Sequence, residues 1–114
     1  MLDSEARRDI QTIREAAINV WGRNCEFEDI IIKDSPYPEF ELPIRLYQCV
    51  KVGIYYDRSA LDMGIMQEGK YILLEKFTTE MVHRGMKAME FKNLFSNFKI
   101  LDDVAKGLIS TGQY

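Results

Sequence analysis

The side chains that most often carry chemistry are scarce in this chain of 114 residues. His83 is the one histidine, and because an imidazole titrates near neutrality it is the first candidate for a general base. It shares one side of a predicted helix with Glu80, Lys87 and Glu90, which is typical of a solvated surface. A zinc site needs more histidine or cysteine ligands than the chain contains.

The two cysteines, Cys25 and Cys49, form no CxxC pair. A nucleophilic thiol needs a lowered pKa, usually from a nearby histidine or helix start. His83 is the one such partner available to Cys49, and nothing in the spacing brings the two together. We therefore interpret both cysteines as reduced, packed thiols.

The carboxylates are plentiful but scattered. Asp57, Asp62 and Glu75 lie at or near the ends of predicted strands, where paired acids could exchange protons, although turns and sheet edges carry the same residues for structural reasons. Asp102 and Asp103 fall near the start of a predicted last helix, where they suit the helix dipole. No GxGxxG, Walker A or GxSxG pattern occurs, and the sequence predicts neither a cofactor nor a metal site.

The clearest feature is an asymmetry of charge. Residues 26–41, here called the acidic segment, contain six acids against one base, whereas residues 44–114 contain eight acids and ten bases. The acidic segment also holds the rigid sequence Pro36-Tyr37-Pro38. Aromatic side chains ringed by acids on a stiff loop suit binding to a basic protein surface. The predicted binding residues are Glu28, Asp29, Asp34, Tyr37, Glu39, Phe40 and Glu41.

The leading hypothesis is therefore a non-catalytic protein-binding module with a basic partner. Small acidic inhibitors of basic toxins or nucleases, such as bacterial immunity proteins, are one class of this size and charge. A rival hypothesis is a small-molecule-binding protein or enzyme with a pocket between the sheet and the C-terminal helices. That pocket would be lined by Met63, Met66, Met81 and Met86 and by Tyr47, Tyr55 or Tyr56. A third hypothesis is a homodimer joined through a long strand edge or the Phe91–Phe98 face.

Composition narrows the class of protein. With 46% hydrophobic and 29% charged residues, the chain is expected to fold as one globular domain spanning residues 1–114. A net charge of −3 opposes binding to nucleic acid or to an anionic membrane. The first residues lack the basic and apolar stretches of a signal peptide, and the apolar runs are too short to span a membrane. The cytoplasm is the expected location.

Residues 4–21 are predicted to form a helix, because apolar residues recur there at intervals of four and three. These residues are Ala6, Ile10, Ile13, Ala17 and Val20. Asp3 or Ser4 can cap the start of the helix, and Gly22 can end it.

The middle of the chain predicts strands. Residues 25–33 are predicted as a strand and residues 34–43, which hold all three prolines, as a loop or edge segment. Residues 44–57 are predicted as one long strand with its even-numbered side chains facing inward. Residues 61–66 and 70–77 are predicted as a hairpin with glycine at the left-handed position of its loop.

Helical spacing returns in the last third of the chain. Residues 79–98 are predicted as one or two helices, and residues 101–108 as a last helix. The predicted fold is α+β: an N-terminal helix, an antiparallel sheet of three to five strands, and two or three C-terminal helices packed on one face. The residues predicted to be largely buried are Ile10, Ile13, Ala17, Val50, Val52, Ile54, Leu73, Phe95, Val104 and Leu108.

Overall fold

The computed structural model describes residues 2–114. Along the chain, helix α1 (Ser4–Trp21) precedes six strands and helix α2 (Phe91–Thr111) follows them. The strands are β1 (Cys25–Phe27), β2 (Ile31–Ile32), β3 (Glu39–Leu46), β4 (Val50–Asp57), β5 (Ala60–Gln67) and β6 (Lys70–Leu73). Every pairing is antiparallel, and the order is β1-β3-β4-β5-β6, with β2 also paired to β3. The α+β class is confirmed, with more strands than predicted and a single C-terminal helix.

Helix α1 has the predicted bounds because both of its ends are defined by the sequence. Asp3 Oδ1 accepts a hydrogen bond of 2.8 Å from the Ala6 N–H, which satisfies a backbone donor in the first turn. Gly22, with a φ of 55°, ends the helix in a conformation that side chains disfavour. The predicted apolar stripe faces the sheet, and its members Ala6, Ile13 and Ala17 are fully buried.

Residues 44–57, predicted as one strand, belong to two strands joined by a turn. Tyr47 and Gln48 adopt φ angles of 55° and 60°, and the Cys49 N–H donates to the Leu46 carbonyl at 2.9 Å. The turn lacks the glycine or asparagine that usually marks such a position. Leu46 pairs with Val50 across it, so the even-numbered side chains of both strands face the core as predicted.

Part of the proline-rich segment is also a strand rather than a loop, since β3 begins at Glu39. The predicted strand at 25–33 is in turn interrupted at residues 28–30, between β1 and β2. Pro43 faces this interruption, where its carbonyl accepts a hydrogen bond of 3.0 Å from the Glu28 N–H. In an antiparallel strand the N and C=O of one residue point to the same side. The nitrogen of Pro43 therefore also faces the interruption, so this inner strand tolerates a residue that has no N–H.

The predicted hairpin is confirmed in β5 and β6. Glu68 and Gly69 form its loop with φ angles of 50° and 83°, so Gly69 takes the left-handed position expected from the sequence. Strand β6 ends at Leu73, earlier than predicted, because Leu74–Lys76 turns into a short 3-10 helix.

Residues 77–90, here called the strap, contain no α-helix, contrary to the prediction. Asn97 of α2 binds the strap backbone: its Oδ1 accepts from the His83 N–H and its Nδ2 donates to the His83 carbonyl, both at 2.9 Å. Gly85, with a φ of 74°, forms a bridge with Leu61 at the edge of β5. These contacts outweigh the helical spacing because each one satisfies backbone groups that a helix would otherwise pair internally.

The C-terminal part of the helical segment predicted at 79–98 and the helix predicted at 101–108 form one continuous helix, α2. Its buried stripe repeats at intervals of four and three and comprises Leu94, Phe98, Leu101, Ala105 and Leu108. Asp102 therefore lies in the middle of a helix rather than near its start, and the dipole explanation for Asp102 and Asp103 is wrong.

One hydrophobic core lies between the sheet and the two helices. Helices α1 and α2 contact each other, with the Trp21 and Phe98 ring centroids 5.0 Å apart. The predicted core residues are buried except Leu73, Phe95 and Val104, which are half-buried. Cys25 and Cys49 are both half-buried and form no disulfide in this structure. Within residues 2–114, no helix has the length and apolar character needed to cross a membrane.

Candidate functional site

The space between the sheet and the helices is packed with side chains. Tyr56 is 2% exposed, and its hydroxyl donates to Asp9 Oδ2 of α1 at 2.5 Å. Met63 is buried in the same core, whereas Met81 and Met86 are exposed. The structure therefore does not bring together the methionines and tyrosines that the rival hypothesis places in one pocket.

Phe40 also belongs to this core. It is 1% exposed, and its ring stacks on that of Tyr56 with centroids 4.5 Å apart. Its position on the inner face follows from β3, where residues alternate between the two faces of the sheet. Phe40, predicted as a binding residue, is thus a core residue that fixes the end of the acidic segment.

Of the two aromatic residues predicted to bind a partner, Tyr37 is the one that reaches solvent, with 53% of its surface exposed. The Arg58 guanidinium lies 4.7 Å from the centroid of its ring, a cation–π contact. Arg58 also forms an ion pair of 3.0 Å with Asp57, whose hydrogen bond raises the pKa of the guanidinium. The backbone N–H of Arg58 donates to the Pro38 carbonyl at 2.9 Å, so the acidic segment is tied to the β4–β5 turn.

The β4–β5 turn that presents Arg58 is unusual in its sequence. Arg58 and Ser59 adopt φ angles of 50° and 71°, where glycine or asparagine is the usual choice. Ser59 is bound from α1 by Glu5, whose Oε1 accepts from its hydroxyl at 3.0 Å. Contacts from other elements therefore hold the turn in this conformation, and the sequence gives no sign of it.

An exposed isoleucine, Ile31, extends the candidate surface beyond the predicted residues. Ile31 and Ile32 form β2 at the edge of the sheet and are 45% and 51% exposed. Asp29 and Asp34 flank them and are exposed as well. Ile31 pairs in register with Glu41 and so faces the outer side of the sheet, whereas Ile32 pairs with Phe40 and faces the other side. The sequence predicted a strand here but not the exposure of its side chains.

Glu28 differs from the other acids because its charge is already paired. Arg45 Nη2 lies 3.4 Å from its Oε2, and Lys51 Nζ lies 3.5 Å from its Oε1. All three side chains are half-buried on the outer face of the sheet. Glu28 therefore contributes less free negative charge to the surface than its place in the sequence indicates.

Glu39 and Glu41 lie on the outer face of β3, opposite to the helices. Glu41 pairs in register with Tyr55 of β4, which pairs with Asp62 of β5. Burial, followed by the charge of Glu41, raises the pKa of Tyr55. The Tyr55 ring meets Tyr71 of β6 edge to face, with centroids 5.5 Å apart.

Gly53 is needed at the centre of this outer face. The Tyr71 ring crosses β5 and lies over Gly53 of β4, where an added Cβ would be 2.9 Å from Tyr71 Cε1 and 3.0 Å from the Tyr55 hydroxyl. Only a residue without a side chain fits so close an approach. The two tyrosines thereby form a single aromatic surface.

A depression of about 230 Å³ opens beside Tyr55 at this end of the sheet. Glu39, Asp57 and Asp62 contribute carboxylates to its wall, and Lys33 contributes the one amine. Asp62 is held by Arg84 of the strap, with Arg84 Nε 2.8 Å from Asp62 Oδ1. The depression therefore has an acidic wall next to an aromatic side chain.

Asp102 is the most completely bonded carboxylate outside this surface. Its Oδ1 accepts from the Trp21 indole N–H at 2.9 Å and from the Tyr47 hydroxyl at 2.5 Å, and Lys106 Nζ lies 3.1 Å from its Oδ2. Burial by itself would raise the pKa of Asp102, but these hydrogen bonds outweigh it and lower the pKa. The cluster joins α1, α2 and the β3–β4 turn, which is a structural role.

The remaining candidates for chemistry stay separate in the fold. His83 lies on the strap rather than on a helix, and its backbone is bound by Asn97. In the described part of the chain no three His, Cys, Asp or Glu side chains are grouped so that they could hold a metal ion. No family model, curated protein or solved structure matches this chain.

Proposed function

We propose that this protein is a non-catalytic binding module that uses the acidic segment against the basic surface of a protein partner. The observation that carries the proposal is the exposure of Ile31 and Tyr37 among the carboxylates of Asp29 and Asp34. The core behind this surface is closed, so the exposed apolar groups are available to another molecule rather than to the fold.

The two kinds of side chain have different roles in such a complex. Exposed carboxylates attract a basic partner over a distance and speed the encounter, whereas apolar and aromatic side chains become buried and slow dissociation. Tyr37 suits the second role because the two prolines beside it limit the conformational entropy lost on binding. An acidic inhibitor of a basic toxin or nuclease, as immunity proteins are, is one class that this arrangement fits.

The first experiment identifies the partner by pull-down from native lysate with mass spectrometry. With the purified partner, association and dissociation rates are then measured for the double variant Glu39→Lys/Glu41→Lys and for Tyr37→Ala. Charge reversal should lower the association rate, most strongly at low salt, where charges act over roughly 30 Å at 0.01 M. Loss of the Tyr37 ring should mainly raise the dissociation rate.

A matched control reverses two acids elsewhere on the surface, Glu15→Lys/Asp103→Lys, and so produces the same change in net charge. These acids are exposed on α1 and α2. If the control lowers association as much as Glu39→Lys/Glu41→Lys does, only net charge matters. Unchanged association and dissociation rates in both site variants would remove the acidic segment as the binding surface.

A further inference from the structure

We propose that the partner inserts an arginine or lysine side chain into the depression beside Tyr55, on the outer face of the sheet. The proposal rests on the proposed function and names the chemistry that the site would recognise. It adds to the binding surface Tyr55 and Asp57, neither of which lies in the acidic segment.

The outer face of the sheet is open at this position. Helices α1 and α2 both pack on the inner face, where Tyr56 binds Asp9. Cross-strand neighbours share a face, so Ile31, Glu41 and Tyr55, which are paired in register, lie in one row on the outer face. The acidic segment and the depression beside Tyr55 are therefore parts of one continuous surface.

Acids outnumber bases around the depression, by four to three when Glu41 beside Tyr55 is included. Glu39 of β3 stands directly opposite Asp57 of β4, an arrangement of like charges that destabilises a sheet. Arg58 and Arg84 offset Asp57 and Asp62, and Lys33 adds one positive charge to the wall, but within residues 2–114 neither Glu39 nor Glu41 forms an ion pair. A positive charge from a partner would relieve this repulsion and complement the surface.

The shape and the aromatic wall favour a side chain of the partner over a metal ion. Tyr55 is half-buried and fixed by its edge-to-face contact with Tyr71, so its ring is preorganised to receive a cation. Arg58 over Tyr37, paired with Asp57, shows the same combination of guanidinium, tyrosine and carboxylate a short distance along this surface. The depression of about 230 Å³ is too small for a whole drug-sized ligand.

The test uses the full chain, labelled with ¹⁵N, and an octa-arginine peptide as the probe at low salt. An octa-citrulline peptide, of the same shape but without charge, is the control ligand. We expect octa-arginine to shift the amide resonances of Glu39, Tyr55 and Asp57, and octa-citrulline to leave them unchanged. Glu39→Gln and Tyr55→Leu should each weaken octa-arginine binding about threefold or more.

The matched control variant is Glu15→Gln, which removes an exposed carboxylate from α1 and should leave the affinity unchanged. Glu39→Gln preserves the shape of the side chain, so it tests the site even if Tyr55→Leu perturbs the packing against Tyr71. Circular dichroism of each variant confirms that it is folded.

Three results would overturn this inference. Shifts confined to Asp29, Asp34 and Tyr37 would leave the proposed function in place and remove the depression from it. Shifts spread evenly over surface carboxylates, or no binding, would remove both. Outer-face resonances that move on dilution without any peptide would show that a second copy of the chain covers this face instead.

Discussion

The acidic segment and the strap are both irregular in structure, and both expose apolar side chains, yet they are held in different ways. The strap is bound at His83 by the fully buried Asn97 and at Gly85 by the edge of β5. The acidic segment is tied at its C-terminal end, where Phe40 enters the core and the Arg58 backbone N–H donates to the Pro38 carbonyl. The strap carries two acids and two bases, whereas the acidic segment carries six acids and one base.

This comparison shows how irregular backbone is kept in place. A buried amide can bind both the N–H and the C=O of one residue, and so replaces the partner that a helix or sheet would supply. The strap is held by these two hydrogen bonds from Asn97, and its two acids are balanced by two bases. In the acidic segment only Glu28, among the described residues, forms an ion pair, so most of its carboxylates stay unbalanced. Its anchoring preserves the shape that it presents.

The largest effect is expected from removing the anchor of the strap. Asn97→Ala would leave the His83 N–H and C=O unpaired beside the core, so we expect the free energy of unfolding to fall by about 2–4 kcal/mol. Urea denaturation followed by circular dichroism measures this loss. Asn24→Ala, at an exposed asparagine, is the control and should have little effect. A comparable loss in both variants would contradict the anchoring role of Asn97.

The next effect concerns Tyr56, which holds Phe40 and with it the end of the acidic segment. Tyr56→Phe removes the hydrogen bond to Asp9 and should cost about 1–2 kcal/mol at neutral pH. Burial and the Asp9 hydrogen bond raise the pKa of Tyr56 to about 12, above the value of about 10 for an unfolded chain.

The pH dependence of stability follows from this difference. The folded state favours protonated Tyr56, so its contribution is complete below roughly pH 10 and is lost as the pH rises to about 12. Chemical denaturation at several alkaline pH values should therefore show a shallower loss of stability in Tyr56→Phe than in the wild type. Parallel slopes in the two proteins would show that Tyr56 titrates as it does in the unfolded chain.

A smaller effect is expected at Gly85 of the strap. Its φ of 74° disfavours a side chain, while the space for a Cβ is open, so Gly85→Ala should cost about 1 kcal/mol through backbone conformation alone. Gly107→Ala provides the matched control, because that glycine lies within α2 and its Cβ would also meet open space. There alanine should stabilise the protein by a similar amount. Destabilisation by Gly107→Ala would show that the cost at Gly85 is not specific to its backbone angle.

The smallest effect on stability is expected in the acidic segment. Tyr37→Ala removes an exposed ring, so thermal or urea denaturation should show a change within about 0.5 kcal/mol. A larger loss would mean that the contact between Arg58 and Tyr37 is part of the fold. The segment would then resemble the strap, and the comparison between them would fail.

Helix α1 and the inward face of the sheet were predictable from the sequence because periodicity and capping act over short distances. The spacing of Ile10, Ile13 and Ala17 fixes one helical face, and Asp3 supplies its cap. The three-residue turn after Leu46 preserves the alternation of side chains. The even-numbered pattern therefore predicted the buried face correctly even though the strand was divided.

The features that the sequence did not predict all depend on contacts between distant parts of the chain. The strap has helical spacing, and only Asn97, which follows it in the chain, shows why it is not helical. Pro43 occupies an inner strand because the interruption between β1 and β2 lies beside it. Within the candidate surface, Tyr55 and Arg58 meet the acidic segment through strand pairing and a turn that local sequence patterns do not reveal.

The order of the strands also has a consequence for how the chain folds. Strands β3 to β6 form consecutive hairpins with short turns, whereas the hydrogen bond from Trp21 to Asp102 joins residues 81 positions apart. Closing the longer loop costs more entropy before any contact forms. We therefore expect the hairpins to nucleate folding and the two helices to dock afterwards. Val52→Ala should then slow refolding, whereas Asp102→Asn should mainly accelerate unfolding.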